Sequence, residues 1–417
     1  MQPTPCRCEI LTIGNEIITG LVADTNSGVI TRRLETLGIS VKRHVSVGDD
    51  EQEIIDALKQ AMERVDCVIL TGGLGPTHDD ITKQVLCRFF NSKLVTDAEV
   101  RHRIDIIFQS RGKETPEAAY TQAEVPEKAT ILHNAKGTAP GLLFEKNGKR
   151  VYSLPGVPLE VEHLLGTYIV PHLEKPGTLK TEHRIVKTTG MPESILWQEI
   201  GPVAPFEEHV KVASLPSLLG VRIRFTATGK DLKETAVKLD AAEKLLRQKI
   251  DPHIFAVDDE TLEGNLGEWL KKTKQTLATA ESCTGGLIGH RLTNISGSSE
   301  YFLEGAVTYS NEAKQNRLGV DPALIKTHGA VSEPVARSMA EGIRHKSGSD
   351  FGLAVTGIAG PTGGSPDKPV GLTFIAVTGA QGTRCEQFRF HQDRVRNKER
   401  AAQAALNLLR LYILDAS

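Results

Sequence analysis

The stretch Cys67-Val68-Ile69-Leu70-Thr71-Gly72-Gly73-Leu74-Gly75-Pro76-Thr77 has a near-echo in Phe351-Gly352-Leu353-Ala354-Val355-Thr356-Gly357-Ile358-Ala359-Gly360-Pro361-Thr362. In both, a short apolar run that reads as a buried strand ends in a glycine-rich turn. Glycine admits backbone angles and close approaches denied to other residues, so such a turn lets N–H groups converge on an anion. The pair points to two pockets for phosphorylated or otherwise anionic ligands, with Gly72, Gly73 and Gly75 in one and Gly357 and Gly360 in the other. The plainer alternative is two tight turns. The surroundings of the copies differ, which favours convergence over duplication.

Outward from the first turn, strands and helices alternate. Glu9–Ile13, Val41–Val47, Cys67–Thr71, Gly141–Phe144 and Arg150–Leu154 read as strands; Ser27–Leu37, Glu51–Val65, Ile81–Phe90 and a stretch from Leu159 read as helices. That alternation predicts a parallel sheet with helices on both faces, and ligands at the C-terminal strand ends. A different pattern occupies 173–257, where strands at 182–188, 209–213 and 220–226 and helices at 194–200 and 231–250 predict a small βαββα module. From 258 to 417 the strand–helix pattern resumes, closing on an amphipathic helix over 398–414. The predicted fold class is α/β: two doubly wound domains, 1–172 and 258–417, joined by a small α+β module.

The chain of 417 residues is too long for one core. Lys plus Arg number 50 against 52 for Asp plus Glu, so charge gives no reason to expect nucleic-acid or membrane partners. The six cysteines lack paired metal spacing and fit a reduced, cytoplasmic protein. No signal-peptide pattern opens the chain, and no apolar run approaches the ~20 residues of a membrane span.

Ala280-Glu281-Ser282-Cys283-Thr284-Gly285-Gly286 ends one predicted strand and opens a helix over 287–293. A hydroxyl or thiol at such a turn stands above the sheet, and Gly285 and Gly286 would let backbone N–H groups face a developing oxyanion. Ser282 and Cys283 are both candidate nucleophiles. The base candidates are Tyr309 and Lys314, in Tyr309-Ser310-Asn311-Glu312-Ala313-Lys314, since a desolvated lysine, or a tyrosine polarised by one, can take a serine proton. The bland alternative makes Ser282 a helix cap and the other two surface residues.

These motifs, with Gly329-Ala330-Val331-Ser332 and Val355-Thr356-Gly357-Ile358-Ala359-Gly360-Pro361, resemble the CinA competence/damage-inducible family over about 261–414. The resemblance implies a nicotinamide mononucleotide (NMN) deamidase with Ser282 as nucleophile and Tyr309 and Lys314 handling the proton. It also points to Thr356 as a site residue and to Arg396 as a substrate-binding arginine. NMN offers a carboxamide to cleave and a phosphate to hold, and the reaction needs no metal or other cofactor.

The first glycine turn continues into Asp79 and Asp80. Carboxylates beside an anion cradle make sense if a divalent metal ion bridges them to phosphate; capping the next helix is the alternative. Glu16, Asp24 and Asn26 lie in a turn-rich stretch after the first strand, and Gly156 lies in Leu154-Pro155-Gly156-Val157-Pro158. Together these stretches resemble the molybdopterin-binding domain of molybdenum-cofactor enzymes over about 8–170. In full-length members of the CinA family that domain is associated with metal-dependent ADP-ribose pyrophosphatase activity. The resemblance therefore implies a bifunctional salvage hydrolase acting on NMN and ADP-ribose, dimeric, with the middle module helping to dimerise. The competing expectation is a molybdopterin-binding or competence-linked regulator whose N-terminal domain only binds.

Overall fold

The computed structural model describes residues 6–174, 179–391 and 393–415. The chain forms two compact units: one runs to Glu182 and includes Thr228–Ala236, and the other holds His183–Ala227 and continues from Val237. Among the described residues no helix is long and apolar enough to cross a membrane, and the cysteines are free thiols.

In the first unit six strands lie in the order Ser40–Val47, Arg7–Ile13, Cys67–Thr71, Lys149–Leu154, Gly141–Lys146, Thr130–Leu132. The first four pair in parallel. Their apolar runs are continuous because both faces are covered. Leu11 and Leu70 pack into one core with Leu58 and Leu86, while Ile10 and Ile69 face the other with Ile30 and Leu164. The last two strands are antiparallel, which corrects the all-parallel expectation. Asn147-Gly148, both at positive φ, turns Gly141–Lys146 straight back into Lys149–Leu154. A two-residue Asn-Gly loop makes a hairpin, and a parallel crossover cannot be that short.

The module over 180–257 is a four-stranded sheet with long helix Leu232–Ile250. Ile254–Val257, not foreseen in the βαββα reading, pairs antiparallel with Lys180–Thr188. Four residues are too few to show a period, and the strand forms because its partner already stands in place.

The last sheet has the order Phe302–Val307, Leu277–Glu281, Phe351–Gly357, Leu372–Gly379, Gly382–Arg389. Its first three strands are parallel and the last two antiparallel. Leu277, Leu353, Val355 and Ile375 meet Leu406 and Leu409 of helix Arg394–Leu414 on one face. Ala278, Ala280, Ala354 and Ala376 meet Met339 and Ala340 of helix Glu333–Ser347 on the other. Within each α/β sheet the parallel strands bring their C-terminal ends, and so that sheet's own glycine turn, to one edge of that sheet.

Candidate functional sites

At the end of Leu277–Glu281 the chain turns sharply and re-enters helix Leu287–Thr293. Glu281, 1% exposed, holds the turn: its carboxylate accepts from the N–H groups of Gly286 (3.0 Å), Ile288 (3.1 Å) and Gly289 (2.8 Å). Gly285 N–H donates to Ser282 O at 3.1 Å. The amides of Gly285 and Gly286 are therefore already taken and do not face an oxyanion, contrary to the expectation; positive φ angles of 62° and 93° explain why both are glycine. Among the described residues no backbone carbonyl accepts the Cys283 or Thr284 N–H, and both amides lie beside the Cys283 sulfur. The amide following a nucleophile is the donor that serves an oxyanion in a strand–turn–helix elbow.

Ser282 is nearly buried and its Oγ lies 3.0 Å from Lys314 Nζ. Lys314 stands on the first turn of helix Asn311–Leu318, whose start is capped by Ser310 Oγ accepting from Ala313 N–H. Its amine also donates to Thr308 O (2.8 Å) and Tyr309 O (3.2 Å), and the side chain is 1% exposed. Burial lowers the Lys314 pKa from its ordinary value, with the neighbouring Cys283 opposing. The Cys283 thiol is pushed up to about 12, chiefly by burial, so at neutral pH it is protonated and a poor nucleophile. The alternative left open by spacing closes here: the serine, not the thiol, meets the amine.

Tyr309 is not beside that amine through its phenol. It is 58% exposed, and its hydroxyl accepts from Arg394 Nη2 at 2.8 Å, while Arg394 Nη1 donates to Gly360 O at 2.9 Å. Thr356 Oγ1 donates to Ala330 O at 2.8 Å. Ser282, Tyr309, Lys314, Thr356, Gly357, Gly360 and Arg394 line one cavity of about 250 Å³. Arg396 does not line it and is exposed on the helix; its N–H is capped by Asp393 at 2.9 Å. Two residues turn a helix by about 200°, so only one of these arginines can face the cavity. Sequence reading missed Arg394 because it started the helix at 398; Asp393, a good cap four residues before Asn397, marks the true start.

A second cavity, of about 710 Å³, opens at the strand ends of the N-terminal sheet. Gly72 and Gly73 have φ of 108° and 68°; a Cβ on either would stand 2.1 Å from Ile13 O or Thr82 Oγ1. Among the described residues the N–H groups of Gly73, Leu74 and Gly75 have no protein acceptor, which leaves them for an anion. Asn26 ties the wall together, Nδ2 donating to Thr71 Oγ1 (3.0 Å) and Gly156 O (2.8 Å). Asp24 accepts from Thr12 Oγ1 (2.7 Å) and Ser27 N–H (2.9 Å). Burial works to raise its pKa, but the hydrogen bonds from Ser27 and Thr12 outweigh that and hold it below the usual range. Asp80 accepts from Thr77 N–H at 2.9 Å, as a turn-capping carboxylate does.

The acidic lining of this cavity is Glu16, Asp24, Asp49, Asp79, Asp80 and Glu160, with no Lys, Arg or His beside it among the lining residues. No group of three or more potential metal ligands is assembled among the described residues. Asp79 and Asp80 are two carboxylates in the lining beside the amide cradle. They fit a hard cation held by one or two carboxylates and completed by water and substrate phosphate, the habit of Mg²⁺.

Models of three families match consecutive parts of the chain: "Probable molybdopterin binding domain" over 9–175, "Damage-inducible protein CinA KH domain" over 183–256 and "CinA C-terminal domain" over 259–413. The CinA-like protein of Salinibacter ruber is 41% identical over 403 residues, covering 96% of this chain and 98% of its own length. The chain belongs to the CinA family. A second CinA-like protein, from Chloroherpeton thalassium, is 42% identical, with 98% of this chain and 99% of that protein covered. Among solved structures, the competence/damage inducible protein CihA of Agrobacterium tumefaciens is 40% identical over 36% of this chain and 92% of its own, with a TM-score of 0.36. Residues 183–256, matched by the KH model, contain no Gly-x-x-Gly sequence.

Proposed function

We propose that the C-terminal domain of this CinA-family chain hydrolyses the carboxamide of NMN, and that the N-terminal domain hydrolyses ADP-ribose with a divalent metal ion. The observation that carries the first activity is the buried Lys314 amine at 3.0 Å from Ser282 Oγ. A lysine with a depressed pKa takes the serine proton, Ser282 attacks the amide carbon, and ammonia leaves. Water then frees nicotinate mononucleotide from the serine ester. The Cys283 amide would donate to the oxyanion, and Arg394 and the Gly357–Gly360 turn, which line the same cavity, would hold the nucleotide's phosphate or ribose. Tyr309 then serves as a partner of Arg394 at the mouth, not as the base.

For the N-terminal domain the supporting observation is the pairing of an open amide cradle with a wall of carboxylates. A pyrophosphate entering alone would meet like charge, whereas a divalent ion held by Asp79 and Asp80 would neutralise its phosphates and polarise them toward attack. This domain also supports a second reading, binding of molybdopterin without turnover, which rests on its family-model match over 9–175. The test is a product assay on the purified chain with NMN and with ADP-ribose, each with and without chelator. Nicotinate mononucleotide formation that survives chelation, and AMP formation that does not, are expected. ADP-ribose left intact in Mg²⁺, Mn²⁺ and Co²⁺ would favour the binding-only reading.

A further inference from the structure

Glu160 lies on the first turn of helix Pro158–Leu164, after the Pro155-Gly156-Val157 turn, and its side chain lines the N-terminal cavity. That turn abuts the phosphate-loop glycines: a Cβ on Gly156 would stand 3.8 Å from Gly72 Cα. The carboxylate is aimed by a built support. Asn134, 5% exposed, donates from Nδ2 to Glu160 Oε2 at 2.8 Å and to Ala139 O at 2.9 Å, while its Oδ1 accepts from Lys136 N–H at 2.9 Å. Gly137 leaves room for the other oxygen, since a Cβ there would fall 2.1 Å from Glu160 Oε1. An exposed surface glutamate needs neither a buried amide to fix it nor a glycine to admit it.

Two carboxylates of this cavity are thus tuned in opposite senses. Asp24 is held ionised by Ser27 and Thr12. Glu160 is pushed above the usual carboxylate range by burial, with the Asn134 hydrogen bond opposing. The other charged groups of the cavity lining are Glu16, Asp24, Asp49, Asp79 and Asp80; His133, which pairs through Nε2 with Glu99 at 3.4 Å, and Lys136 flank Asn134 in sequence, and Glu162 and His163 share the helix of Glu160. None of them contributes to its shift. Carboxyl groups driven apart in this way mark the acid–base member of a site.

We propose that Glu160 is the general base for hydrolysis in the N-terminal cavity. The proposal rests on reading that cavity as an ADP-ribose hydrolase. Glu160 takes a proton from the attacking water as the water oxygen bonds to phosphorus. The bridging P–O bond breaks, its electron pair leaves with the departing phosphate, and AMP and ribose 5-phosphate result. The proton on Glu160 then passes to solvent.

The test is the pH–rate profile of ADP-ribose hydrolysis by the full chain with Mg²⁺, for the native protein, Glu160→Gln and Asn134→Ala. General-base catalysis is worth roughly 10²–10⁴-fold. Glu160→Gln should lose at least about 100-fold in kcat and lose the acid limb, with AMP affinity, read by calorimetry, kept within about threefold. Asn134→Ala removes the donor that favours the ionised form, so its acid limb should move to higher pH. A metal-free readout accompanies these: in ¹³C-glutamate NMR the one carboxyl resonance missing from Glu160→Gln should titrate above the ordinary glutamate value. A Glu160→Gln enzyme with near-native kcat and an unchanged acid limb overturns the inference and leaves the hydrolase reading standing. No hydrolysis by the native chain, with NMN deamidation intact, overturns both.

Discussion

Replacing Lys314 with methionine separates its chemical role from its structural one. The amine makes three hydrogen bonds, to Ser282 Oγ, Thr308 O and Tyr309 O, and the side chain is 1% exposed. Methionine fills a similar volume but leaves two carbonyls and one hydroxyl without that donor. At a net value of about 1 kcal/mol per hydrogen bond the loss is roughly 2–3 kcal/mol, offset in part because no ammonium has to be desolvated. The sign with pH follows from the direction of the shift. The Lys314 pKa is depressed on folding by burial, so protonation opposes folding and the native chain loses stability as pH falls through the unfolded lysine value. Lys314→Met removes that group and should gain relative to the native chain at lower pH. Activity should respond far more steeply. A general base contributes roughly 10²–10⁴-fold, or about 3–5.5 kcal/mol of barrier, so kcat for ammonia release should fall by that factor while the variant still melts cooperatively. In the native enzyme kcat should rise with pH along a limb lying below the ordinary lysine value of about 10.4. A coupled ammonia assay and thermal denaturation read both quantities. A folded Lys314→Met variant retaining more than a tenth of native kcat would refute the lysine-base mechanism, and Tyr309→Phe would then become the decisive variant.

Other consequences are checked as directly. Ser282→Ala should abolish deamidation, whereas Cys283→Ala should keep most of it, because a thiol with a pKa of about 12 is not the nucleophile at neutral pH; the reverse pattern in the ammonia assay would reassign the chemistry to cysteine. Arg394→Met should lower kcat/KM for NMN by about 10–100-fold, the worth of a charge-assisted hydrogen bond, and Arg396→Met should change it less than about threefold. Equal effects in steady-state kinetics would deny Arg394 its place in the cavity. Gly73→Ala puts a methyl 2.1 Å from Thr82 Oγ1 at positive φ, which should cost at least about 1–3 kcal/mol and end ADP-ribose hydrolysis while NMN deamidation persists. Chelator should produce the same split, and equal loss of both activities would mean that the two sites are not independent.

Local signals were legible where one stretch of chain decides the outcome. Ile69-Leu70 alternates between two covered faces, so its strand shows as an apolar run; Gly72 and Gly73 show as glycine because the turn demands positive φ. What stayed hidden depends on groups distant in sequence or on a shift of a few residues. Glu281 lies inside a quoted motif, yet nothing local says that its carboxylate, and not a substrate, takes the Gly286, Ile288 and Gly289 amides. Arg394 and Arg396 are the same residue type two positions apart, and differ in which face of the first helical turn they occupy. Glu160 gains its setting from Asn134 and Gly137, in the part of the chain between 111 and 140 where short strands and a seven-residue 3-10 turn at Glu117–Ala123 give no clear period. The antiparallel edge had a readable cue in Asn147-Gly148, a hairpin signal obscured by the expectation of strand–helix alternation.

The central claim, that Ser282 and Lys314 together cleave the NMN carboxamide, is tested most directly by quenching the purified chain with NMN at early times and searching its peptides by mass spectrometry. A nicotinoyl-nucleotide ester on Ser282, absent from Ser282→Ala and matched by stoichiometric ammonia, is the predicted result. Ammonia release with no adduct in native protein, and undiminished in Ser282→Ala, would contradict it.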